Sequence, residues 1–336
     1  MDPTLDPNAP DRTVRLDDIR RLAVSAPLFR DDAAALWFQK ELEQVIANQY
    51  ERKYPEMKMS SGAMIPIRST VPRGKKTGSY KMYDFVGVAK WLTTGSWKDI
   101  PKASVSAARA TFSVHEFNLG YGWELGELEE AQATGTPLEQ FEAQSVRMGM
   151  DKFLNDVGMY GDANKGIHGI TNVPNMTVID AAAGTGGAIR WSVTGGTAKT
   201  ALEMVADIAL AIRTMRSVTN QVHRPNRCWI PPSFWEATNR VVIANTAVTV
   251  RKYLADNYPD IAFDEVNELE DAGTNGVPCM IFAHLSSPDE LWLEVPIPFE
   301  QHGPFQDGLS YGVATRESTG GVITPYPMAL LRMDFA

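Results

Sequence analysis

Hydrophobic and polar positions change their period several times along the chain. Residues 1–30 hold Pro3, Pro7, Pro10 and Pro27 with little periodicity, which predicts an extended arm. From Asp31, Leu36, Trp37, Leu42, Val45 and Ile46 fall on one helical stripe until Tyr54 and Pro55, and a short strand is expected at 63–71. Two long period-two runs follow. Residues 79–93 alternate through Tyr80, Met82, Val86 and Val88, and residues 104–119 through Val105, Thr111, Phe117 and Leu119, with a tip at 94–103. Fully extended, each run would reach roughly 45 to 50 Å, so the pattern predicts a hairpin projecting beyond the body that anchors it.

The next element is a helix over 137–160. Thr136 and Glu139 match a capping box, Pro137 takes the first helical position, and Leu138, Phe141, Val146, Phe153, Leu154 and Val157 mark an apolar face that ends at Gly161. Its length is about 36 Å. A loop is expected to Pro174 and a flexible linker at 181–187. Beyond residue 197 the texture is that of an α/β region. Thr200 with Glu203 and Ser233 with Glu236 predict two further capping boxes, each opening a helix, and strands are expected at 227–231, 278–284, 290–297, 310–315 and 321–333. The fold class read from this order is α+β, without internal repeats.

Composition narrows the setting. The 336 residues, 44 % hydrophobic and 22 % charged, fit one or two globular domains and exclude wholesale disorder or a collagen-like chain. Two cysteines, Cys228 and Cys279, cannot build a disulfide framework. No apolar run reaches the length of a membrane span, and Asp2, Asp6 and Asp11 stand where a signal peptide would carry basic residues, so a cytosolic origin and no membrane partner are expected.

Candidate chemistry is tested next, and none of it holds. Gly308-Leu309-Ser310-Tyr311-Gly312 matches a nucleophile elbow, which would make Ser310 the nucleophile of a serine hydrolase, but that fold needs a histidine after the serine and the last one here is His302. Gly195 to Thr200 lacks the spacing of a phosphate loop, and Gly120-Tyr121-Gly122 with Gly126 misses the dinucleotide fingerprint. The five histidines never fall at metal-ligand spacing. No enzymatic activity, catalytic residue, cofactor or metal is therefore expected.

Charge, by contrast, is strongly segregated. The formal net charge is −9. Residues 52–109 nevertheless carry twelve basic against three acidic residues, while 116–142 hold seven glutamates and no Lys or Arg. The basic set on the hairpin is Arg73, Lys75, Lys76, Lys81, Lys90, Lys98 and Lys102, and the acidic set is Glu124, Glu127, Glu129, Glu130, Glu139 and Glu142. Contact between copies of the chain is the favoured reading of this pair. A hairpin that merely guards its edges with lysines, and a nucleic-acid contact lacking any compact stacking platform, are the alternatives.

The order of elements resembles the major capsid protein of tailed bacteriophages, the Hong Kong 97-type fold. The likeness is carried by Tyr121-Gly122-Trp123-Glu124-Leu125-Gly126-Glu127-Leu128-Glu129-Glu130-Ala131 before the long helix, by Tyr160-Gly161-Asp162, by Gly166-Ile167-His168-Gly169-Ile170-Thr171-Asn172-Val173-Pro174, and by Gly320-Gly321-Val322-Ile323-Thr324-Pro325-Tyr326-Pro327. The resemblance implies an N-terminal arm at 1–30, a helix and strand at 31–71 and an extended loop at 72–112. It further implies a peripheral domain at 113–196 and 301–336 with spine helix 137–160, and an axial domain at 197–300. The implied role is a shell subunit forming pentamers and hexamers around double-stranded phage DNA, within a virion assembled in the host cytoplasm. The implied partners are further copies, a separate scaffolding protein, a portal and a decoration protein. Encapsulin-type compartments share the fold and enclose protein instead. Some relatives weld subunits through a lysine–asparagine bond. Lys90, Lys98 and Lys102 lie near the hairpin tip, but no asparagine or catalytic glutamate is identifiable, so assembled particles should run as one monomer band on a denaturing gel, and a ladder of covalent oligomers would overturn this.

Overall fold

A second strand that changes partner midway sets the layout of the molecule. The computed structural model describes residues 55–91, 102–134, 138–192 and 197–336, of which 56–336 form one unit. The expected helix at 31–54, the hairpin tip at 92–101 and the cap residues Thr136 and Pro137 lie outside the described residues. After the short β1 (Ile67–Arg68), β2 (Thr77–Val86) and β3 (Ser104–Ser113) form an antiparallel hairpin of ten registered pairs, from Thr77 opposite Ser113 to Val86 opposite Ser104. The predicted single run 104–119 is broken at Val114, which is buried and donates its N–H to the Lys76 carbonyl at 2.8 Å. Strand β4 (His115–Glu124) then leaves β2 for another partner. The paired hairpin therefore reaches about 34 Å, not 45 to 50 Å.

Helix α1 (Leu125–Thr134) follows directly, then α2 (Leu138–Tyr160). Val146, Met150, Leu154 and Val157 of α2 recur at spacings of three and four and are buried. Phe153 packs its ring 4.7 Å from that of Phe117 on β4. Gly161 ends the helix at φ 70°, its N–H bonded to the Val157 carbonyl. The loop that follows folds back over the last turn: Thr171 Oγ1 donates to the Met159 carbonyl and Asn172 Nδ2 to the Tyr160 carbonyl, both at 2.7 Å, while Gly169 N–H donates to Asn172 Oδ1 at 2.7 Å. A side chain at Gly161 or Gly169 would collide with the facing backbone. Thr171 and Asn172 of this loop thus satisfy carbonyls that the helix end leaves open, and the glycines allow the close approach.

Strand β5 (Thr177–Asp180) begins the α/β part, which continues through α3 (Ala201–Val218), β6 (Arg227–Ile230), α4 (Pro232–Arg240), α5 (Val250–Asn257), β7 (Ala262–Glu265) and β8 (Cys279–Ala283). The chain ends with β9 (Trp292–Glu294), β10 (Ile297–Gln301), β11 (Phe305–Asp307), β12 (Ser310–Thr319), β13 (Gly321–Ile323) and β14 (Leu330–Asp334). Five strands form one sheet in the order β5-β14-β8-β6-β7. The expected division places 177–180 and 330–334 in one block and 227–283 in another, and this sheet takes strands from both. Both of its faces are covered. Met280 and Phe282 of β8 pack with Met204, Ile208 and Phe234, whereas Cys279, Ile281 and Ala283 pack with Leu154, Met159 and Met59. Such a strand is apolar throughout, as β8 is.

The expected capping box at Thr200 and Glu203 forms, and Glu203 also accepts from the backbone and hydroxyl of Thr185 at 2.6 Å. These bonds, led by the Thr185 hydroxyl, hold its carboxyl down at about 2. The box expected at Ser233 and Glu236 does not form. Helix α4 starts at Pro232, so Ser233 lies inside the first turn, where its N–H and hydroxyl donate to Glu270 at 2.7 and 2.9 Å.

One ion pair is sealed into the α/β core. Lys199 Nζ lies 2.8 and 2.7 Å from the two Asp207 oxygens, Trp191 Nε1 donates to the same carboxylate at 2.7 Å, and all of it is buried. Replacing Lys199 by Met strands the carboxylate and should cost about 3 to 5 kcal/mol in urea unfolding. Lys199→Met with Asp207→Asn removes both charges yet keeps an acceptor for Trp191, so it should cost clearly less. Equal costs would show that the stranded charge is not the cause.

Candidate subunit-contact surfaces

The hairpin is anchored at its root and open beyond it. Glu294 on β9 is fully buried and collects four donors: Thr70 N–H (2.7 Å), Thr70 Oγ1 (2.6 Å), Val71 N–H (2.9 Å) and Trp292 Nε1 (2.8 Å). This fixes the segment that feeds β2. Just above, Phe112 fills the space a side chain at Gly78 would need, and Tyr80 donates its hydroxyl to the Thr324 carbonyl at 3.2 Å. Tyr80, Met82 and Phe112 roof a cleft of about 870 Å³ whose floor includes His168, Val222 and Tyr326.

Farther out, β2 and β3 pair only with each other. The face that carries Lys81, Tyr83, Phe85, Val105 and Arg109 is turned to solvent, with Tyr83 57 %, Phe85 78 % and Val105 60 % exposed. Lys81 stands directly opposite Arg109, which donates to Ser79 Oγ at 2.9 Å. Like charges opposite one another weaken a ladder, and an isolated two-stranded ribbon is marginal in water. An acidic, partly apolar surface laid against this face would relieve both features.

The predicted basic residues are not equivalent. Arg73 sits before β2 and is ion-paired with Glu300, which also binds Arg316 at 3.1 Å. Lys75 and Lys76 are exposed on the turn into β2, Lys81 is exposed within it, and Lys90 and Lys102 are exposed on either side of the tip. Lys98 lies outside the described residues. On the acidic side, Glu124 closes β4, and exposed Glu127, Glu129 and Glu130 lie on α1. Glu127 accepts from Glu124 N–H at 3.1 Å. Glu142 on α2 has its carboxyl raised by burial and then by the Glu127 charge, so these two lie close together. The Glu139 side chain falls outside the described residues. Tyr83 and Phe85 carry no charge and stand on the face opposite the period-two stripe of Tyr80, Met82 and Val86. Their signal was a second apolar stripe offset by one residue.

Ser310 opens β12 between Glu124 and Asp307, as an ordinary ladder residue. His223 and His284, distant in sequence, come together with rings 5.3 Å apart. Among the described residues no group of three or more His, Cys, Asp or Glu could hold a metal ion, and no helix is long and apolar enough to cross a membrane.

The fold is shared with solved phage capsid proteins. The capsid of Myoviridae phage XM1 superposes with TM-score 0.73 at 14 % identity, covering 88 % of this chain and 98 % of that one. Mycobacterium phage Bobi gives 0.57 at 12 % identity over 88 % and 97 % of the two chains, and the empty GTA particle 0.55 at 11 % over 88 % and 97 %. This is the Hong Kong 97-type α+β capsid fold. The sequence profile of the major capsid protein family matches residues 87–335, and the chain belongs to that family, the major capsid proteins of tailed phages. No curated protein shows significant similarity to the chain.

Glu294 is the test of the anchored root. Glu294→Gln keeps one acceptor oxygen but turns an amide donor toward two of the four donors, which should cost about 2 to 3 kcal/mol in urea unfolding and speed proteolysis at 70–78. Wild-type stability and cleavage would remove this role.

Proposed function

We propose that this major capsid protein assembles from pentamers and hexamers into an icosahedral shell enclosing double-stranded DNA. The observation that carries the reading is the outer hairpin, a two-stranded ribbon with aromatic side chains in water and a Lys81–Arg109 pair across its ladder. The chain itself carries a matching surface. Helix α1 presents Glu127, Glu129 and Glu130 with exposed Leu125, and has no basic residue. The hairpin of one copy lies on this acidic surface of the next. Because the two patches differ, the contact is heterologous, and repeated rotation closes it into rings and shells rather than dimers. Opposite charge fixes register and disfavours wrong pairings more than it adds affinity. In this reading α2 is the spine of the peripheral part, and the α/β sheet with α3, α4 and α5 forms the axial part around the symmetry axes. A separate scaffolding protein, a portal and a decoration protein complete a virion built in the host cytoplasm.

Charge reversal tests the contact. Lys75→Glu, Lys76→Glu and Lys81→Glu together should abolish rings and shells in electron micrographs and size-exclusion profiles, while the monomer keeps its circular dichroism and melting temperature. Adding Glu127→Lys, Glu129→Lys and Glu130→Lys to the same chain should restore assembly. Wild-type assembly of the triple variant would remove the electrostatic argument.

A further inference from the structure

Glu317 on β12 is a buried acid that belongs to neither candidate contact surface. It is 4 % exposed, and its Oε2 has no hydrogen-bond partner among the described residues. The ladder places it opposite Phe117, whose ring meets Phe153, so it faces α2. The charged groups facing it from α2 are Asp151 and Arg147, one turn apart. These two are already engaged, Arg147 Nε donating to Asp151 Oδ2 at 3.0 Å and the guanidinium lying 4.6 Å above the Phe299 ring. From β4 the same face offers Phe117 and, one pair along, His115 opposite Thr319. From β10 it offers Phe299, while Glu300 points the other way to Arg316 and Arg73. A carboxylate here would sit beside a second carboxylate, in a contact otherwise made of aromatic rings, without a cation of its own.

We propose that Glu317 is a proton-operated latch between α2 and the β4–β12 ladder: with a proton on its carboxyl the helix seats on the sheet, and without it the charge beside Asp151 loosens the helix. Burial first, then Asp151, pushes this carboxyl up to about 7, with Arg147 pulling the other way. In the unfolded chain the proton is lost near the ordinary value of 4.5. The stabilisation is therefore complete below about 4.5 and disappears as pH rises through about 7.

Hydrogen exchange of the full chain, corrected for intrinsic rates, reads this directly. Protection of α2 amides over 146–157 should fall by up to about tenfold per pH unit between pH 5 and 7 and level off above, while that of β8 amides holds. In Glu317→Gln, which stays neutral, α2 protection should be flat across this range. In Asp151→Asn the fall should move to lower pH, since burial remains but the like charge has gone. An undiminished fall in Glu317→Gln, no fall in the wild-type chain, a parallel fall in β8, or an unshifted Asp151→Asn profile would each overturn the latch.

Discussion

Ten consecutive backbone pairs between His115–Glu124 and Ser310–Thr319 tie the root of the basic hairpin to the start of the acidic helix α1. The ladder begins one residue after the hairpin releases its second strand, so the hairpin's root inherits its stiffness. It ends at Glu124, where α1 and its glutamates start, so the acidic surface is held at the opposite end of the same strand. One face of the ladder seats α2 through Phe117 and Phe153. A pairing between segments nearly two hundred residues apart thereby fixes the separation of the basic and acidic patches. Neither patch moves without this ladder, so under the proposed contact complementary copies would meet in one register.

The hairpin carries charge and apolar area side by side. In the proposed contact Lys81 and Arg109 would supply direction, while Tyr83, Phe85 and Val105 would supply the area whose burial favours a bound state. Such a surface is costly to leave in water, and the protein limits the cost by keeping it to a narrow ribbon whose root is clamped by Glu294.

Features set by neighbours within a turn or two are legible in the sequence, and features set by distant partners are not. The Thr200–Glu203 box, the stripe Val146, Leu154 and Val157, the Gly161 stop and the all-apolar strand around Ile281 depend on neighbours within a turn or two, and each appears where its pattern places it. The break at Val114 was invisible because alternation runs on unchanged while the partner strand changes. Ser233 looked like a cap until Glu270, thirty-seven residues away, claimed its donors. The acidic and basic sets were visible as composition, but that Arg73 is already paired with Glu300 could not be read from spacing. Glu317 likewise carries no local mark, since its environment is assembled from α2, β4 and β10.

The position of β14 has a consequence in time. It lies between β5 and β8, and its side chains Leu331 and Met333 complete the core against α3. A ribosome at ordinary speed needs on the order of 10 s to travel from residue 180 to residue 330. Throughout that interval β5 lacks its partner, and from residue 283 onward β8 too presents a raw edge, with an empty slot between the two. The body that anchors the hairpin closes only once this late strand arrives, so an unfinished chain lacks the geometry of a finished one.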